Sequence, residues 1–227
     1  METLAPELLD NIFTLACIDG GMTGCSLSSV SKHIRVTSRA ARFHSISLTG
    51  SSLQIEQFLT CFLAERAVAA IRTPTIRHLH LISMQDEGSR HTPKEELCRI
   101  EEESAKYVED VATLFRLVSQ DLESLSLAHN HGKLRLVPLS DIACGGFPVL
   151  REFTIVGADP FVPTADTVPS PFYPRLVRLH LGFPTRFLWP GDHLSFDGWA
   201  KHAPSITHLC LSQVTRVPPA IEELDGT

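Results

Sequence analysis

Five segments of this 227-residue chain obey one pattern, Pro-x-[Leu/Ile]-x-x-[Leu/Phe]-x-[Leu/Ile]. They are TPTIRHLHL (73–81), SQDLESLSL (119–127), FPVLREFTI (147–155), YPRLVRLHL (173–181) and APSITHLCL (203–211), and only the second lacks the proline. Within each copy the last two apolar anchors are two residues apart, so both project from the same side of a short strand. One such strand cannot bury that side alone. Stacking the copies in parallel, each returning through a helix or a loop, builds a continuous core. The pattern therefore predicts an irregular α/β array of about five parallel strands.

The first anchors, Ile76, Leu122, Leu150, Leu176 and Ile206, lie 46, 28, 26 and 30 residues apart. Three of these gaps fall close to the roughly 20–29-residue period of leucine-rich repeats. The long one holds an inserted loop and a helix. Thr92-Pro93-Lys94-Glu95 offers that helix an N-cap, a first-turn proline and a capping-box glutamate. Leu97, Ile100, Val108, Val111, Leu114, Phe115 and Val118 form its apolar stripe, and Glu101 to Glu103 read as solvated first turns. A further helix is expected from Ser51 or Ser52, with Phe58, Leu59, Phe62 and Leu63 on one face.

Residues 4 to 44 read differently, as three short helices. In LAPELLDNIFTLAC (4–17), Leu8, Leu9, Ile12, Phe13 and Ala16 make one broad apolar face, and Pro6 suits the first turn. DGGMTG (19–24) reads as a turn with Thr23 as N-cap of a second helix, after which Leu27, Val30 and Ile34 lead into a basic helix ending near Phe43. So small a unit makes a marginal core by itself. Either the rest of the chain covers its apolar face, as a capping subdomain on the array, or another protein does.

That opening segment resembles an F-box, whose usual start is Leu-Pro-x-Glu-Leu-Leu-x-x-Ile-Phe/Leu. Leu4, Glu7, Leu8, Leu9, Ile12 and Phe13 match position by position, and Val30 and Ser31 sit at the family's Val-Cys/Ser step. Phe43 lies near its late tryptophan, while Ala5 stands where the family has its first proline, with Pro6 next. The resemblance covers residues 4 to about 48. It implies an F-box-like helical domain over 1–48 and a leucine-rich-repeat-like α/β region over 49–227, the order that family uses. It further implies docking on the adaptor subunit of an SCF-type cullin–RING ubiquitin ligase, and through it a cullin, by Leu4, Pro6, Leu8, Leu9, Ile12, Phe13 and Val30. The repeats would bind an unidentified protein substrate, and catalysis would belong to the partners.

If the anchors face inward, the residues between them line the other side of the strands: His78/His80, Ser124/Ser126, Glu152/Thr154, Arg178/His180 and His208/Cys210. This row is either an ordinary solvated face or the substrate surface, with His78, His80, Glu152, Arg178, His180 and His208 as candidates. Its Arg and His content would favour an acidic or phosphorylated segment. A metal site is not expected from the histidines, because tetrahedral coordination needs further ligands converging on one point. AHNHG (128–132) reads as a polar turn and the proline-rich 157–174 as a loop. Trp189 and Trp199 read as core plugs or as an aromatic rim.

There is no GxSxG, P-loop, GxGxxG or HExxH, so neither an enzyme nor a cofactor is expected. A net charge of −6 argues against a general nucleic-acid binder, and Lys32, Arg35, Arg39 and Arg42 carry no interleaved aromatic residues. No run approaches the roughly 20 apolar residues of a membrane span. Glu2, Glu7 and Asp10 stand where a signal peptide would be basic, and the six cysteines lack zinc-like spacing. Cytosol or nucleus is the expected compartment. The competing reading is a repeat scaffold with no ubiquitin link.

Overall fold

The computed structural model describes residues 4–49, 52–69, 73–83, 94–129, 146–156, 171–182 and 196–212. It is a mixed α/β protein with one six-stranded sheet. The strands are β1 (Ser45–Thr49), β2 (His78–Ser83), β3 (Ser124–His129), β4 (Glu152–Val156), β5 (Arg178–Gly182) and β6 (His208–Ser212). All neighbours are parallel and follow one another in chain order. The described helices are α1 (Pro6–Ala16), α2 (Met22–Val30), α3 (Lys32–Thr37), α4 (Ser52–Val68), α5 (Lys94–Val118) and α6 (Phe196–His202), with a 3₁₀ turn at Ala41–Phe43.

The anchors fall into register. Ile46, Leu79, Leu125, Phe153, Leu179 and Leu209 form one row across the sheet, and Leu48, Leu81, Leu127, Ile155, Leu181 and Leu211 the next. In β1 to β5 both rows are buried against α4, α5 and α6, which lie on one side of the sheet. Before each strand the same step recurs. The carbonyls of His44, Arg77, Glu123, Arg151 and Val177 each accept two consecutive N–H groups from the next strand's approach.

The recurrent proline has a specific job in the last three copies. The N–H groups of Leu150, Leu176 and Ile206 donate to the carbonyls of Phe147, Tyr173 and Ala203, closing four-residue turns. Pro148, Pro174 and Pro204 occupy the second position of those turns, where a fixed φ near −65° suits the geometry. In the copy without proline, α5 runs directly into the approach, and the Asp121 N–H donates to the Val118 carbonyl.

Several expectations need correcting. The sheet has six strands, and β1 straddles the expected boundary at residue 48. Its approach, Phe43-x-x-Ile46-x-Leu48, keeps the anchor spacing with an aromatic first anchor and no proline. The basic helix stops at Thr37, and only the 3₁₀ turn reaches Phe43. On α4 the buried residues are Ile55, Leu59 and Phe62, whereas Leu63 is exposed. Thr23 does not cap α2. Its hydroxyl and N–H donate to the Asp19 carboxylate, at 2.6 Å and 2.9 Å, holding that carboxyl below its usual range. Ala128 and His129 end β3 rather than forming a turn; the rest of AHNHG, together with 157–170, Trp189 and the Thr92-Pro93 cap, lies outside the described residues. Trp199 is a core plug, stacked on Tyr173 with ring centroids 5.7 Å apart.

The helical unit is tied to the array through Glu65 of α4. Its carboxylate meets Arg39 Nε at 2.9 Å and Arg42 Nη2 at 3.0 Å. The three side chains are mostly screened from water, so Glu65→Gln leaves two guanidinium groups short of a partner. Allowing for residual solvent, the expected loss is about 1–2 kcal/mol in urea unfolding, and an unchanged midpoint would show the bridge to be energetically idle.

Candidate interaction surfaces

Two surfaces carry the candidate residues. The first is on α1. Pro6 supplies the first helical position, where no N–H is needed, and the apolar face that follows is divided between two environments. Phe13 (7 % exposed) and Cys17 are sealed within the chain, where α1 packs against the 3₁₀ turn and α3. Phe13, expected among the docking residues, is therefore a core residue, and Leu9 is half-buried. Leu8 (53 % exposed) and Ile12 (49 %) face outward, together with Leu4 and Val30. The outward stripe continues through Leu15, Ile18 and Met22, which the sequence reading did not single out. Their signal was present in the spacing: Leu4, Leu8, Ile12 and Leu15 follow the i, i+4, i+8, i+11 track of one helix side.

The second surface is the open face of the sheet. Ser45, His78, Ser124, Glu152, Arg178 and His208 are register partners in one row, and Ser47, His80, Ser126, Thr154, His180 and Cys210 in another. Every candidate on that face falls in these two rows, and β1 adds the two serines. Many of its polar groups are already engaged. His78 Nδ1 lies 3.1 Å from Ser124 Oγ, and His180 Nε2 lies 2.8 Å from Ser212 Oγ. The Arg178 guanidinium pairs with Glu152, and His208 Nδ1 is 2.8 Å from Thr207 Oγ1. Arg178 is thus neutralised by its strand neighbour, which weakens the electrostatic case for an acidic ligand. Among the described residues no three metal-capable side chains converge.

Between the surfaces lies a recess of about 240 Å³ lined by Thr14, His44, Thr75, Arg77 and Glu123. Arg77 and Glu123 pair with each other there. The His44 ring stands edge-on to His78 at 5.0 Å. Burial, and then the neighbouring His78 and Arg77, push the His44 pKa down, with Glu123 opposing. His202 is lowered too, by burial and by Lys201. A histidine with a depressed folded pKa takes its proton more readily once unfolded, so stability is lost as pH falls below about 6.5. The urea midpoint should drop between pH 7.5 and 5.5, and drop less in His44→Asn. An identical drop in both proteins would remove His44 from the explanation.

The chain matches no protein-family model, no curated protein and no solved structure. What the fold defines is a mixed α/β protein with a six-stranded parallel sheet. Among the described residues no helix is long and apolar enough to cross a membrane.

Proposed function

We propose that the chain is a substrate-recognition adaptor of an SCF-type cullin–RING ubiquitin ligase. In this reading residues 4–44 act as an F-box-like unit that docks on the ligase adaptor subunit, and the strand array, a short irregular leucine-rich-repeat-like region, holds the substrate. The chain performs no catalysis itself. The observation that carries the reading is the exposed stripe of Leu8, Ile12 and Leu15 on α1, extended by Leu4 just before it, which has the size and spacing of a helix that anchors in a partner's groove. The in-register, chain-ordered parallel strands support the repeat-like part.

The test is co-purification of the intact chain with the SCF adaptor subunit. Leu8→Asp should cut recovery of the complex at least tenfold while leaving the melting temperature within about 2 °C, because Leu8 already faces water. Failure of the parent chain to bind the adaptor would overturn the reading.

A second reading has its own observation. The Gly20 carbonyl accepts the Ser47 N–H at 3.0 Å, and the Gly20 N–H donates to Ser45 Oγ at 3.3 Å. The loop between α1 and α2 thereby covers the free edge of β1, as a terminal cap of a repeat scaffold would. That reading requires no ligase, and the same co-purification separates the two.

A further inference from the structure

The two edges of the sheet end differently. At β1 the Gly20 loop occupies the edge, so closely that a Cβ on Gly20 would stand 2.8 Å from Ser47 Cβ. At β6, among the described residues, no strand pairs with the outer edge and no loop is hydrogen-bonded to it through its backbone. Leu209 is 47 % exposed, although its row partners Leu79, Leu125, Phe153 and Leu179 are 1–2 % exposed. Edge strands usually discourage pairing with charge, proline or a bulge. His-Leu-Cys-Leu-Ser, the whole of β6, has neither a formally charged side chain nor a proline.

We propose that β6 is a pairing edge for a second copy of this chain, added antiparallel about a two-fold axis at Cys210. This is the register that pairs all five strand residues. It sets Leu209 opposite the second copy's Leu211 and continues the apolar rows on the core side. It sets His208 opposite the second copy's Ser212, the same directly opposed pairing of residue types as His78 and Ser124. With no formally charged side chain on the strand at pH 7, and His208 set opposite Ser212 rather than its own copy, the two copies meet without like-charge opposition along it. The arrangement is self-complementary, as a two-fold interface requires, and the product is one twelve-stranded sheet with both open faces on the same side. The inference is independent of the ligase reading, since it rests on the outer edge of β6 and makes no use of α1 or of a bound substrate.

Cys210 is an exposed free thiol at the proposed axis. Directly opposed residues in antiparallel strands have Cα atoms about 4.5–5.5 Å apart, inside the range of about 4.4–6.8 Å that a disulfide spans. The experiment uses the full-length chain with Cys25, Cys61, Cys98 and Cys144 replaced by Ser, leaving buried Cys17 and Cys210. On adding diamide, two Cys210 thiols give two protons and two electrons to the reagent, which becomes the hydrazine, and one S–S bond forms. A disulfide-linked dimer is expected on a non-reducing gel, absent in Cys210→Ser and formed at least tenfold more slowly in Leu209→Lys. Without oxidant, sedimentation velocity of the unaltered sequence should show a concentration-dependent dimer. Cys210→Lys, which places like charges opposite each other at an already exposed position, should abolish it. A chain that stays monomeric throughout, including one whose own C-terminal residues cover the edge, overturns the proposal. So does a dimer that survives both lysine substitutions, or oxidation that proceeds equally without Cys210.

Discussion

Phe147→Ala is expected to lower folding stability by about 3–5 kcal/mol, read as a fall in the urea midpoint at constant slope. Phe147 is fully buried. Its ring centroid lies 6.0 Å from Phe115, 5.6 Å from Phe172 and 5.6 Å from Tyr173. Those rings come from α5 and from the approach to β5, so truncation removes the contact that joins a helix to the next copy of the repeat. None of the three can move into the vacated space without leaving its own backbone restraint. Domains of this size are typically stable by about 5–15 kcal/mol, so the variant loses a large share of its margin. Phe147→Leu keeps most of the volume and should cost about half as much or less. A loss under about 1 kcal/mol for the alanine variant would mean that the ring stack relaxes freely, contrary to its packing.

Gly146→Ala ranks second, with an expected loss of roughly 2–3 kcal/mol from left-handed backbone strain and a disturbed hydrogen bond. Gly146 has φ +67°, and a Cβ there would lie 2.6 Å from the Phe172 carbonyl oxygen. That oxygen is the acceptor for the Phe147 N–H at 2.9 Å. The obstruction is main chain, which cannot swing aside as a side chain would. The alanine variant must therefore either distort the turn or part the two approaches. A midpoint equal to that of the parent would show that the two segments are not held at this distance.

The strand array was legible because its rule is local and repeated. Leu-x-x-Leu-x-Leu spacing ties the approach residue and two strand residues to one buried side, and five copies make the register readable before any coordinates. β1 escaped because Phe43 stands in for the aliphatic first anchor, no proline precedes it, and Ser45-Ile46-Ser47-Leu48 follows directly on helical residues. Aliphatic spacing alone did not reveal that the proline sets a turn. The partition of α1 was legible only in part. Periodicity shows a broad apolar face but not which half is covered, and that is decided by the 3₁₀ turn packing over Phe13 and Cys17. Alignment of the copies also places the open-face residues in two register rows. The Glu152–Arg178 pair within them depends on side-chain direction between neighbouring strands, which alignment of the copies does not weigh.

Successive first anchors, from Phe43 to Ile206, are separated by as few as 26 and as many as 46 residues, yet the strands align without a slip. The length of a crossover is thus decoupled from the alignment of the strands it joins, in keeping with the slow growth of closure entropy with loop length. Material can be added to or removed from the helical side while the opposite side keeps its spacing and chemistry. For a molecule assembled this way, the two sides are free to evolve at different rates.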